Sequence, residues 1–112
     1  MKRILIITPD PEAGRTLELA FDLAGWGVSH VGTVRGTHPS GAGVVLLDMV
    51  DGTDEFRKVG KQSFKGAKVV AIAPRGEGED SIMKSVPRTD AVVRRPYELT
   101  HLVRTVEGLV SK

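Results

Sequence analysis

The sequence predicts an α/β domain, a parallel sheet with helices on both faces. Three observations carry this. Short apolar, β-branched runs alternate with helix-period stretches five times along the chain. The clearest runs, Ile4–Ile7 and Val44–Leu47, are apolar at every position, as strands buried on both faces should be. Clusters of Gly, Pro, Ser and Asp punctuate the intervals.

The first strand reads Arg3 to Thr8 and ends at Pro9. Asp10 followed by Pro11 predicts a helix N-cap with proline at the first helical position. That helix places Leu17, Ala20, Phe21 and Ala24 at helical spacing and stops at Gly25. Trp26 follows as a packing residue at the turn, a reading preferred over a recognition aromatic. Val28–Val34 alternates as a second strand, and residues 36–43 form a loop by composition.

Val44–Asp48 is a third strand that ends on an acid. Thr53–Phe64 predicts a weak helix, with Phe56 and Val59 inward and Gly60 against it. Lys68–Ala73 is a fourth strand, and Asp80 can cap a short helix that Pro87 ends. Asp90–Arg94 is the fifth strand. The last helix sets Leu99, Leu102, Val103, Val106 and Val110 on one face.

A chain of 112 residues has room for one domain, spanning 1–112, and can bury a core without a staple. It contains no cysteine, and no apolar run approaches the length of a membrane span. A cytoplasmic protein with no membrane association is the expectation. Sixteen Lys and Arg stand against fourteen Asp and Glu, too small an excess to argue for nucleic acid. Aromatics are scarce, which disfavours a base-stacking platform. Gly76 and Gly78 follow no phosphate-loop pattern, and His30, His38 and His101 lack partners at zinc spacing. Basic residues gather late, at Lys84, Arg88, Arg94, Arg95, His101 and Arg104.

In parallel α/β sheets the working site lies at the carboxyl ends of the strands. Those ends are Thr8/Pro9, Asp48, Ala73 and Arg95. The stretches RILIITPDPE, AGWGV, VVLLDMV, KVVAIAPRGEGED and AVVRRPYEL, in this order, resemble the response-regulator receiver domain over essentially the whole chain. The resemblance implies a (βα)5, flavodoxin-like fold with strand order 2-1-3-4-5. Here the second helix would be shortened or missing, because the segment between the second and third strands is short.

Residue by residue, the family's phosphoacceptor falls on Asp48. Its acidic pair falls on Thr8 and Pro9, with Asp10 next but at the helix cap. Its phosphoryl-binding hydroxyl falls on Ala73. Its lysine falls on Arg95, with Pro96 and the aromatic Tyr97 kept, and family knowledge adds a cis peptide at Arg95–Pro96. The aromatic of its fifth strand falls near Ala91 or Val92 and is absent. Its partner-docking face, made of the fourth helix, fifth strand and fifth helix, receives Lys84, Arg88, Arg94 and Arg104.

These departures remove most of the chemistry. Phosphoryl transfer to a carboxylate needs a divalent cation to neutralise developing charge. Mg²⁺ binding usually takes one or two carboxylates besides the phosphate, and only Asp48, a carbonyl near Val50 and water remain. No cofactor is therefore expected; Mg²⁺ enters only if Asp48 still accepts phosphate. Ala73 cannot bond a phosphoryl oxygen, so it has no means of favouring one state over another. Arg95, always charged and able to clasp a carboxylate with two donors, predicts a direct Asp48–Arg95 ion pair.

The leading expectation is a pseudo-receiver: a phosphorylation-independent interaction module in bacterial signalling, not an enzyme. It would act through a protein partner or self-association. A functional phosphoacceptor receiver using Asp48 is the alternative. A flavodoxin-like small-ligand binder is a third class, weakened by the missing phosphate cradle.

Overall fold

The computed structural model describes residues 2–32, 41–48, 66–73, 89–95 and 97–110. The expected helices over 53–64 and 80–86 lie outside these residues. So do the segment where a second helix would run and the side chains of Lys84, Arg88 and Pro96.

Five strands form one parallel sheet: β1 (Arg3–Ile7), β2 (Gly27–Val31), β3 (Val44–Asp48), β4 (Lys68–Ala73) and β5 (Ala91–Arg94). Their spatial order is β2-β1-β3-β4-β5, with every neighbouring pair parallel. This is the order that the receiver resemblance implies. The sequence pattern follows from the position of each strand. β3 is buried at every residue, and β1 and β4 at all but their first. The edge strands β2 and β5 are mostly half-buried. A strand covered on both faces must be apolar throughout, whereas an edge strand keeps polar positions such as Ser29 and His30.

Two helices are described, α1 (Pro11–Leu23) and α2 (Leu99–Val110). α1 starts as the sequence predicts: the Asp10 carboxylate accepts from the amides of Glu12 and Ala13, and Pro11 fills the first helical position. At its other end Gly25 adopts φ +90°, a conformation costly for side chains with a β-carbon. The amide of Trp26 then reaches back 2.9 Å to the carbonyl of Phe21, turning the chain into β2.

Leu17 and Phe21 of α1, Trp26, and Leu102 and Val106 of α2 pack on one sheet face against Ile4, Ile6, Leu46, Val70 and Ile72. Phe21 and Trp26 meet edge to face, with centroids 5.8 Å apart at 84°. Trp26 is a packing residue, as expected. Two expected core positions differ. Ala24 caps the end of α1 and is exposed, and Leu99 is 36% exposed because it opens α2 before the helix settles on the sheet. The opposite sheet face gathers Leu5, Ile7, Val45, Leu47, Val69, Ala71 and Ala73.

At the amino end of the sheet, Asp90 accepts a 2.7 Å hydrogen bond from the Val69 amide and lies 3.9 Å from the Lys68 ammonium. Asp90 thus precedes the fifth strand and ties it to β4.

Candidate functional site

Register alone assembles the site at the carboxyl edge of the sheet. Ile7 pairs with Leu47, so the next residues along β1 and β3, Thr8 and Asp48, are neighbours. Ala73 pairs with Arg94, which sets Arg95 just past the end of β4. Three strands therefore deliver Thr8, Asp48 and Arg95 to one point.

Asp48 is fully buried, yet both of its carboxylate oxygens are satisfied. The Thr8 hydroxyl donates to Oδ2 at 2.8 Å. Nη2 of Arg95 donates to Oδ1 in a close ion pair, and Nη1 donates to the Ala73 carbonyl at 3.3 Å. Burying a carboxylate costs several kcal/mol unless it is paired and hydrogen-bonded, and here it is both. Thr8, itself 1% exposed, also accepts from the Asp10 amide at 3.2 Å. Its hydroxyl is thereby fixed as an acceptor from α1 and a donor to β3.

The expected Asp48–Arg95 pair is present. The role of Thr8 was not legible: in the sequence it reads as a lost carboxylate, whereas it is the second holder of Asp48. A signal did exist, since a buried strand-end threonine beside a buried acid must place its hydroxyl somewhere. Ala73 supplies no hydroxyl, but its carbonyl anchors the guanidinium. Pro9 is exposed and offers no ligand atom, and Asp10 is a helix cap.

Tyr97 lies half-buried near the pair. Burial pushes its phenol above the usual tyrosine range, the Asp48 charge adds to this, and the Arg95 charge opposes it. Arg94 and Arg104 are exposed. Arg94 lines an open cleft of about 490 Å³ together with Val92, Val93, Tyr97, Glu98 and His101. Arg104 is not part of its wall.

No family model matches the chain, and no curated protein matches it. Solved structures do. A two-component response regulator from Clostridium difficile is similar over 100% of this chain and 98% of its own, at 15% identity and TM-score 0.82. The non-phosphorylated HemR receiver domain from Leptospira biflexa is similar over 100% and 96%, at 16% identity and TM-score 0.81. A CheY-like receiver domain protein from Methanospirillum hungatei JF-1 is similar over 99% and 94%, at 17% identity and TM-score 0.79. The chain has the receiver-domain fold. At such identities the likeness establishes the fold and leaves the chemistry to the residues.

The described residues at the strand ends do not fit the Mg²⁺ on which phosphoryl transfer to a carboxylate relies. The described strand ends supply one carboxylate, with a guanidinium on one oxygen and a hydroxyl on the other. No cluster of three His, Cys, Asp or Glu side chains suited to a metal occurs among the described residues.

Proposed function

We propose that this chain is a signalling module of the receiver type that works through protein contacts and does not use Asp48 as a phosphoacceptor. One observation carries the reading: both oxygens of a buried Asp48 are already bound, to Thr8 and to Arg95. An incoming phosphoryl group would have to displace a charge-assisted bond or a buried hydroxyl, without a second carboxylate among the described strand ends to hold a cation. The ion pair instead keeps the ends of β3, β4 and β5 in one arrangement.

The module is read as a binding domain of the bacterial cytoplasm and not as an enzyme. Its docking surface is assigned to the side of β5 and α2. Exposed Arg94 and Arg104 favour an acidic protein partner, with Lys84 and Arg88 close in sequence, and self-association is the other use of this face. Arg94→Glu combined with Arg104→Glu should abolish partner capture, and unchanged capture would refute this face.

The second reading is a working phosphoacceptor. The position of Asp48 at the carboxyl end of a central strand favours it. Intact-mass measurement after incubation with a small phosphodonor and Mg²⁺, beside Asp48→Asn, separates the two. No adduct on either protein is expected; an adduct lost in Asp48→Asn would establish the second reading.

A further inference from the structure

His30 occupies a built seat on the other side of Thr8. It projects from edge strand β2 between α1 and β1. Its Nε2 lies 3.3 Å from the Thr8 carbonyl oxygen, and its Nδ1 lies 3.3 Å from Oε1 of Glu18. The ring takes the space left by Gly14: a β-carbon there would stand 2.1 Å from Cε1 of His30. α1 therefore gives up a side chain at a buried helical position to admit this imidazole.

Both partners of the ring are acceptors. A neutral imidazole carries one N–H, so it satisfies either the Thr8 carbonyl or the Glu18 carboxylate and turns a lone pair toward the other. The imidazolium carries two and satisfies both. We propose that His30 is a proton-operated clasp, which in its charged form ties α1 and β2 to the end of β1. Its target is the residue that holds Asp48, so the proton state of His30 is coupled to the Thr8–Asp48 bond.

The charged groups around the seat are few among the described residues. Glu18 contacts the ring from α1, and Arg15 precedes it by one turn. From the β1 side come the Thr8 carbonyl and, beyond the Thr8 side chain, Asp48 with Arg95 and the capping Asp10. Among the described residues only Glu18 offers a charge directly to the imidazole. It is 46% exposed and the ring 19%, so solvent can deliver and remove the proton. With an acceptor at each ring nitrogen, the doubly protonated ring makes both contacts of the seat and the singly protonated ring makes one. The clasp is closed on both sides when the ring carries two N–H groups and on one side when it carries one. This clasp stands whether or not Asp48 accepts phosphate.

The test is the melting temperature of the full chain between about pH 5 and 8, the span in which histidines ordinarily titrate. The wild type is compared with His30→Gln and Glu18→Gln. Subtracting the His30→Gln curve cancels the other two histidines, His38 and His101. The gap between wild type and His30→Gln should be roughly 3–6 °C at the acid end and should shrink toward the alkaline end. Glu18→Gln, which keeps the ring in place, should flatten the wild-type slope. A gap of constant size across the range, or an unchanged slope in Glu18→Gln, would overturn the clasp. Were His30→Gln to fail to fold, the Glu18→Gln slope and the pH response of the Thr8 and Asp48 amide resonances decide. These resonances should move with the His30 ring signal, and their independence from it would count against the coupling.

Discussion

The Thr8 hydroxyl donates to Oδ2 of Asp48 at 2.8 Å, across the ends of two adjacent strands and out of reach of solvent. Hydrogen bonds to charged groups contribute about 1.5–3 kcal/mol, and a buried acceptor left unpaired costs its desolvation as well. Thr8→Val keeps the shape and removes the donor. It should lower unfolding free energy by about 2 kcal/mol in urea, and Thr8→Ser should recover most of that. Equal losses in both variants would mean that the methyl group, not the hydroxyl, matters.

Tyr97 is the single tyrosine, so its phenolate absorbance reads one site. Burial and the Asp48 charge raise its titration, and Arg95 opposes them. Asp48→Asn should therefore move the midpoint down, and Arg95→Met should move it up. Because the folded state keeps the Tyr97 proton more tightly than the unfolded state, this phenol costs no stability below the usual tyrosine range. Stability is lost as pH rises through the raised folded value. A midpoint indifferent to both substitutions would place Tyr97 outside the field of the pair.

Two helical glycines make opposite predictions from one rule. Glycine in a helix interior is about 1 kcal/mol less favourable than alanine. Nothing lies within 4 Å of a β-carbon placed at Gly108 in α2, so Gly108→Ala should stabilise by about 0.4–1 kcal/mol. At Gly14 the same methyl meets the His30 ring at 2.1 Å. Gly14→Ala should destabilise by about 1–3 kcal/mol despite its better helix propensity. Denaturant unfolding of the two variants checks both signs at once.

Much of the sheet was legible because strand burial is written in composition. The unbroken apolar runs of β1, β3 and β4 mark strands covered on both faces, and the mixed β2 marks an edge. The Asp10-Pro11 start and the Gly25 stop of α1 were legible because caps are local chemistry. Asp48 and Arg95 could be paired because the receiver resemblance brings both to one site, and a buried acid there needs a cation. Thr8 and His30 could not, because their partners are set by register and by a glycine on another element. Reading Thr8 as a missing acid hid what its hydroxyl does, and His30, judged by metal spacing, looked idle. Leu99 failed for a simpler reason: helical periodicity continues to the end of a helix, whereas burial stops where the helix leaves the sheet.

The commitment of Asp48 to Arg95 is tested most directly by their coupling in a double-mutant cycle. Urea unfolding would be measured for the wild type, Asp48→Asn, Arg95→Met and the double variant. Arg95→Met alone leaves a buried carboxylate without its cation and should cost about 3–5 kcal/mol. The double variant should cost far less than the sum of the singles, giving a coupling of at least about 1.5 kcal/mol. Additive losses, within about 0.5 kcal/mol, would contradict the pairing and leave Asp48 open for other chemistry.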